Sequence, residues 1–317
     1  MKSILTQLTH ELDLHHIPKQ SIKSLFIGGG TPSVIKPHLY QKFFEKIAPF
    51  MAKDSEITSE ANPNSATKDW LEGMRQLGVN RISFGVQSFD TKKLHSLGRA
   101  HTSNEAIVAI ENCANVGFEN ISLDLIYDCF QDTKELLKND IDIATSLPIN
   151  HLSAYELTIE DGTKFTQKNR NQKDTFAFFV AEEIISHGFN HYEISNFGTY
   201  QCKHNLGYWR LEEYIGIGAG AIGYINNTRY APSRDIARYI SSPLEYTYEA
   251  LTHKEWLTEK IFLGLRSVVG IEKSILPLDI HQKAELLVQH NKLTQTSTFF
   301  YNLDYFLSDE IALYLMP

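Results

Sequence analysis

Apolar positions along this chain of 317 residues follow two rhythms. Short runs rich in Leu, Ile, Phe and Val suit a pleated surface and predict strands at 24–27, 57–61, 81–86, 121–126 and 151–157, with a sixth candidate at 191–194. Between these runs apolar residues recur every three or four positions, which predicts helices over 2–15, 37–52, 67–77, 104–116, 133–145 and 174–186. The stop signals agree. Gly78, Gly117 and Gly188 follow three of the helices, and Asn104 stands where it would cap the helix that Gly117 ends. Strand and helix alternate at a step of about 30 residues, the length of a βα unit in a parallel α/β sheet.

What ends each strand changes the picture. Leu25-Phe26-Ile27 runs into Gly28-Gly29-Gly30-Thr31-Pro32, where bare glycine backbone lets a ligand approach the main chain. Four later strands end on Glu60, Gln87, Asp124 and Glu156. In a parallel βα series the carboxyl ends of all strands open on one face, so their loops build a single site. A barrel, or part of one, fits better than a doubly wound sheet, which concentrates functional residues at one switch point. The series also begins with a helix, as though a first strand were missing. A cationic or zwitterionic adenosyl ligand suits the groups so gathered. Gly29, Gly30 and Thr31 offer backbone partners for an ammonium or carboxylate, and Glu60 accepts from ribose hydroxyls. Gln87 both donates and accepts, Arg99 pairs with a carboxylate, and Asp124 accepts.

After about residue 200 the pattern gives way to Cys202-Lys203-His204-Asn205-Leu206-Gly207-Tyr208-Trp209, then to four glycines in the eight residues 216–223. From about 250 a small unit follows, with helices at 256–265 and 280–290 and β-prone runs at 297–301 and from 305 onward, in the manner of a winged helix. The expected division is 1–200, 201–249 and 250–317. Cys202 and His204 are a thiolate and an imidazole two residues apart, both good haem-iron ligands, and Tyr208 and Trp209 offer flat faces to a porphyrin. The other reading of these four is local packing under the glycine-rich segment.

Composition removes several classes. The net charge of −8 advertises no basic surface for nucleic acid or anionic lipid. No apolar stretch approaches the roughly 20 residues of a membrane span, and no secretory signal is visible, so a cytoplasmic location is expected. Three scattered cysteines, Cys113, Cys129 and Cys202, suit a reducing compartment and form no CxxC or CxxxC pair.

At this point the motifs carry a resemblance. GGGTPS at 28–33, EANP at 60–63, FGVQSFD at 84–90, LGRAHT at 97–102 and LDLIY at 123–127 resemble the radical S-adenosylmethionine proteins related to coproporphyrinogen III dehydrogenase. HYEISNFG at 191–198, CKHNLGYW at 202–209, YIGIGAGA at 214–221 and FLGLRSVVGI at 262–271 resemble the haem-chaperone (HemW) branch. The resemblance implies a partial (β/α) barrel of the radical SAM type lacking its first strand, plus a small α+β winged-helix-like domain. It implies a protein that binds haem and delivers it to haem-requiring acceptors, some of them membrane proteins met transiently. S-adenosylmethionine would lie at the strand ends, with Gly29, Gly30 and Thr31 on the methionine moiety, Glu60 on the ribose, and Gln87, Arg99 and Asp124 completing the contacts. Thr158 and residues 217–219 match more loosely. The alternatives are an oxygen-independent coproporphyrinogen III dehydrogenase, against which the HNxxYW element speaks, and a truncated non-catalytic relative. The family also carries a CxxxCxxC loop whose thiolates bind a 4Fe-4S cluster. That loop is absent from this sequence, so no cluster ligand and no catalytic residue is assigned.

Overall fold

The computed structural model describes residues 17–159, 165, 167–171 and 174–316. The helix expected at 2–15 lies outside them. Two compact units are formed, one from residues 23–38 and 54–201, the other including 39–53 and the chain from 202 onward.

The first unit is built on a seven-stranded sheet. Its strands are β1 (Ile22–Ile27), β2 (Met51–Ala61), β3 (Arg81–Gln87), β4 (Asn120–Tyr127), β5 (His151–Glu156), β6 (Asn190–Glu193) and β7 (Asn196–Gly198). Their order is β1-β2-β3-β4-β5-β7-β6. The neighbours from β2 to β5 pair in parallel, whereas β7 pairs antiparallel with both β5 and β6. The sheet curls, because Tyr200 beyond β7 donates its hydroxyl to Glu56 of β2 at 2.7 Å although three strands lie between them in the sheet order. This is the partial (β/α) barrel expected.

Period-two alternation sorts the strand residues between two faces. Ile82, Phe84 and Val86 of β3, and Ile121, Leu123 and Leu125 of β4, are buried apolar positions. Helices Lys68–Gln76 (α2), Ser103–Val116 (α4) and Lys134–Ser146 (α5) bring Leu71, Met74, Ile110, Cys113 and Ile141 to that core. The alternate positions Arg81, Ser83, Ser122, His151 and Ser153 are polar and equally buried, so the concave face of the sheet is polar.

Several elements differ from expectation. Residues 37–52 are not one helix. Single 3-10 turns at Pro37–Leu39 and Ala48–Phe50 flank a short helix, Gln41–Ile47 (α1), because the proline at position 49 lacks the amide that would continue it. β2 therefore starts at Met51 and is eleven residues long. The cap of α4 is Thr102, not Asn104, because Thr102 and Glu105 exchange side-chain-to-backbone bonds in a capping box that satisfies two orphan amides. Thr91–Ser96 (α3) and β7 were not expected.

In the second unit, residues 202–250 supply a short helix, Lys203–Trp209 (α7, following α6 at Ala177–Ser186), and a three-stranded antiparallel sheet of β8 (Gly223–Ile225), β9 (Thr228–Pro232) and β10 (Tyr246–Ala250), with Ile236–Ser241 (α8) between the last two. His253–Leu265 (α9), Leu278–Gln289 (α10) and Ser308–Leu315 (α11) surround a small sheet of β11 (Ile271–Glu272), β13 (Phe299–Asn302) and β12 (Leu293–Gln295), the winged-helix-like arrangement. Their core holds Leu257, Ile261, Leu265, Phe300, Ile311 and Leu315. The β-prone run from 305 is instead a 3-10 turn leading into α11. Asp304 accepts from the Phe306 amide at 2.9 Å and bends the chain, and burial of Ile311 and Leu315 outweighs local β preference.

Candidate functional site

Strand ends β1 to β4 place the expected residues together. Gly29 and Gly30 have φ of 76° and 147°, values glycine adopts without penalty. A Cβ built at either would meet nothing within 4 Å, so this stretch of backbone faces open space. At Gly28 a Cβ would come within 3.0 Å of the Glu60 carboxyl and closer still to the Phe26 ring, so only glycine lets β1 and β2 approach this closely. The Gly29 amide donates to Glu60. The loop is tied down by Ser33, which accepts from the Asn62 amide at 3.0 Å and hydrogen-bonds Ser65 at 2.6 Å, and by Asn62, whose side-chain amide reaches Thr31 Oγ1 at 3.5 Å.

Gln87 lies beyond an irregularity in the β3–β4 register, with φ of 73°. A left-handed non-glycine residue at a strand end is a local strain of the kind found where a side chain is re-aimed for function. A Cβ on Gly85 would lie 3.2 Å from the Gln87 amide nitrogen, 3.5 Å from Asn62 Oδ1 and 3.9 Å from an Arg99 nitrogen, so these three side chains converge over Gly85.

The charges form one group. Burial and the nearby Asp124 carboxylate push Glu60 up, and the Gly29 amide opposes them. Burial raises Asp124 to about 6 against the pull of the Ser153 hydroxyl, Arg81 and Arg99. Burial lowers Arg99, and Asp124 holds it up. Two carboxylates and the Arg99 guanidinium thus share a half-buried mouth beside a loop of bare amides, with Arg81 buried on the floor of the sheet. Such a place accepts from hydroxyls, pairs with a carboxylate and receives a cation. Glu156, the other strand-end acid, is engaged separately with Arg170.

Sequence reasoning missed what lies beneath and beside this group. His151 joins Ser122 at 2.7 Å and the Tyr192 hydroxyl at 2.6 Å, and burial, then Arg81, lowers its pKa, so the imidazole is neutral. Next to Gln87, Ser88 donates to Asp140 at 2.6 Å and the Phe89 amide donates to it at 2.7 Å. The fully buried Lys93 pairs with Asp132 at 2.8 Å and lies 3.7 Å from Asp140. The Cys129 amide donates to Asp132 at 2.9 Å. This clasp fixes the end of β3 to α5 and to the loop after β4. The available signal was a lysine and an aspartate on otherwise apolar helix faces.

The haem candidates lie in and just before α7. His204 and Tyr208 are one turn apart, with Nε2 and the hydroxyl at 3.0 Å and the rings edge-to-face at 4.8 Å. Tyr208 also meets Tyr214 edge-to-face at 4.7 Å. Burial, with smaller contributions from Tyr214 and Cys202, pushes the Tyr208 phenol to about 12, although the residue as a whole is 41% exposed. Trp209 Nε1 is buried with no hydrogen-bond partner among the described residues. The Cys202 thiol is fully buried at the start of the helix.

The cysteines do not fit an iron–sulfur cluster. All three are buried free thiols, and burial raises Cys113 strongly and Cys129 to about 12, away from the thiolate a cluster needs. Among the described residues the one converging set of metal-ligating types is Asp142, Glu183 and His187, which holds no sulfur. No helix of the described residues is long and apolar enough to cross a membrane.

The family model for the radical SAM superfamily matches residues 4–144. The heme chaperone HemW of Lactococcus lactis is 35% identical over 268 residues, spanning 80% of this chain and 71% of that protein. The heme chaperone HemW of Bacillus subtilis is 36% identical over 272 residues, spanning 80% of this chain and 72% of its own. Among solved structures, the radical SAM enzyme coproporphyrinogen III oxidase (HemN) of Escherichia coli superposes with a TM-score of 0.77 over 99% of this chain and 82% of that chain, at 17% identity. That likeness is one of fold.

Proposed function

The chain belongs to the HemW haem-chaperone family within the radical SAM superfamily, and on that footing we propose that it binds haem and hands it to haem-requiring proteins, with S-adenosylmethionine held at the strand ends. The observation that carries the second half is the convergence of Gly29, Glu60, Arg99 and Asp124. Glu60 and Asp124 accept from the ribose hydroxyls. The open backbone at Gly29, Gly30 and Thr31 serves the methionine ammonium and carboxylate. Arg99 pairs with the carboxylate, and Gln87 donates and accepts beside it. No step through a 4Fe-4S cluster is assigned to these residues; the strand-end contacts would serve an oxygen-independent coproporphyrinogen III dehydrogenase equally, and it is the relatives of higher identity that favour the chaperone reading.

For haem, His204 supplies an imidazole on a partly exposed helix, and Tyr208 and Trp209 supply aromatic surface. The buried Cys202 thiol favours packing over ligation. The acceptors are haem-requiring proteins met in the cytoplasm or at its membrane. A haem titration followed in the Soret region, run on the parent chain and on His204→Ala, tests the assignment. A shifted band and weaker binding in the variant are expected. An identical spectrum at lower thermal stability would give His204 a packing role only.

A further inference from the structure

The irregularity in β3 sits directly under the strand-end group. Phe84 pairs in register with Leu123 and Gln87 with Leu125, so Gly85 and Val86 of β3 stand opposite the single residue Asp124 of β4. Two residues against one is a β-bulge, which bends its strand and takes main-chain groups out of the ladder. Val86 is fully buried, so its carbonyl needs a partner inside the protein. His101 supplies that partner. Its Nε2 lies 3.0 Å from the Val86 oxygen, and the residue is 5% exposed. A carbonyl only accepts, so Nε2 carries the hydrogen. Burial lowers the imidazole pKa against the pull of the Val86 carbonyl, and a neutral ring suits a single-donor role.

Two of the strand-end contacts depend on this bond. Gln87 follows Val86 directly and is held at a φ of 73°. Arg99 precedes His101 by two residues, in the segment that joins α3 to α4. That segment is fastened at both ends to helices: the Arg99 amide donates to the Leu94 carbonyl of α3 at 2.9 Å, and Thr102 caps α4. His101 fastens it to β3. The Gln87 and Arg99 side chains then meet over Gly85, inside the bulge. We propose that His101 is a positioning residue for the strand-end site: its bond to the Val86 carbonyl fixes the bulge that aims Gln87 and holds Arg99 beside it. This rests on reading the strand ends as an adenosyl-ligand site. Without the imidazole donor a buried carbonyl is orphaned. The chain relieves that cost by straightening the bulge or admitting water, and either one moves Gln87 and frees Arg99 from β3.

The test uses the full chain with His101→Leu, which fills the space without a donor, and His101→Gln, whose side-chain amide reaches as far as the imidazole Nε2 and still donates. Should His101→Leu fail to fold, His101→Asn, whose amide falls short of the carbonyl, takes its place with the same expectations. Nitrogen NMR without ligand reads the bulge, and calorimetric titration with S-adenosylmethionine reads the site. In His101→Leu the amide signals of Gly85, Val86 and Gln87 and the side-chain signals of Gln87 and Arg99 are expected to shift, while those of Leu152 and Ala154 in β5 stay in place. Affinity is expected to fall about tenfold. His101→Gln should recover most of both changes. In a Gln87→Ala background the further loss from His101→Leu should be smaller, since effects routed through one residue do not add. Unmoved Gln87 and Arg99 signals in the donorless variant overturn the proposal, and so does a loss of affinity that is the same in both backgrounds. A parent chain that fails to bind S-adenosylmethionine while the signals move would contradict the adenosyl reading and leave the hold of His101 on the bulge standing.

Discussion

At the residue scale, Glu60 and Asp124 show how one environment sets two roles. Both acids are raised by burial, and the Asp124 carboxylate adds to the difficulty of ionising Glu60. Removing the Glu60 acceptor should weaken S-adenosylmethionine binding by roughly 1–3 kcal/mol, the worth of a hydrogen bond to a charged group. Calorimetry on Glu60→Ala checks this, and unchanged affinity would place the ligand elsewhere. Asp124 also gives a pH dependence. Its folded-state pKa, about 6, lies above the ordinary 3.8, so between those values the folded chain holds a proton that the unfolded chain has released. Its contribution to stability is therefore full below the lower value and declines as pH rises through the window. Ligand affinity runs the opposite way and should rise as Asp124 ionises near pH 6. Asp124→Asn should remove this part of the slope in thermal melts taken across the window. Glu60 and Asp124 were legible in sequence because each is an acid set in the carboxyl-terminal half of a strand pattern. Arg81, His151 and Ser153 were not, because they alternate with core residues, and only the curl of the sheet shows which face is enclosed.

At the scale of elements, the ends of helices and strands are held by specific partners. The Thr102–Glu105 box closes the start of α4, where the Thr102 side chain and the Glu105 carboxylate each satisfy an orphan amide. Thr102→Ala should cost about 1 kcal/mol, read from urea unfolding. The Lys93–Asp132–Asp140 clasp is more demanding, since all three side chains are buried. Lys93→Met leaves two carboxylates without their cation and should cost about 3–5 kcal/mol, with ligand affinity falling as well because Gln87 loses its anchored neighbour Ser88. A variant of parental stability would show that the clasp carries no such role. The parallel series β2 to β5 was readable from apolar runs and glycine stops. The break around α1 was missed although prolines stand at 37 and 49, because the periodicity on either side masked them. β6 matches the strand expected at 191–194, but its hairpin partner β7 escaped notice because it has only three residues.

At the scale of the whole molecule, two units divide the chemistry. The first presents the polar strand-end group over a polar concave face. The second carries the His204–Tyr208 pair and a separate apolar core around Leu265 and Phe300. Family membership joins them into one account, a carrier that holds haem and releases it to an acceptor. The most direct measurement is anaerobic haem titration of the chain, then gel filtration and mixing with excess apomyoglobin. The account predicts about one haem per chain with a defined Soret band, retained on the column and then transferred to the acceptor. Haem that stays unbound at stoichiometric concentrations, or that leaves the chain on the column, would contradict it.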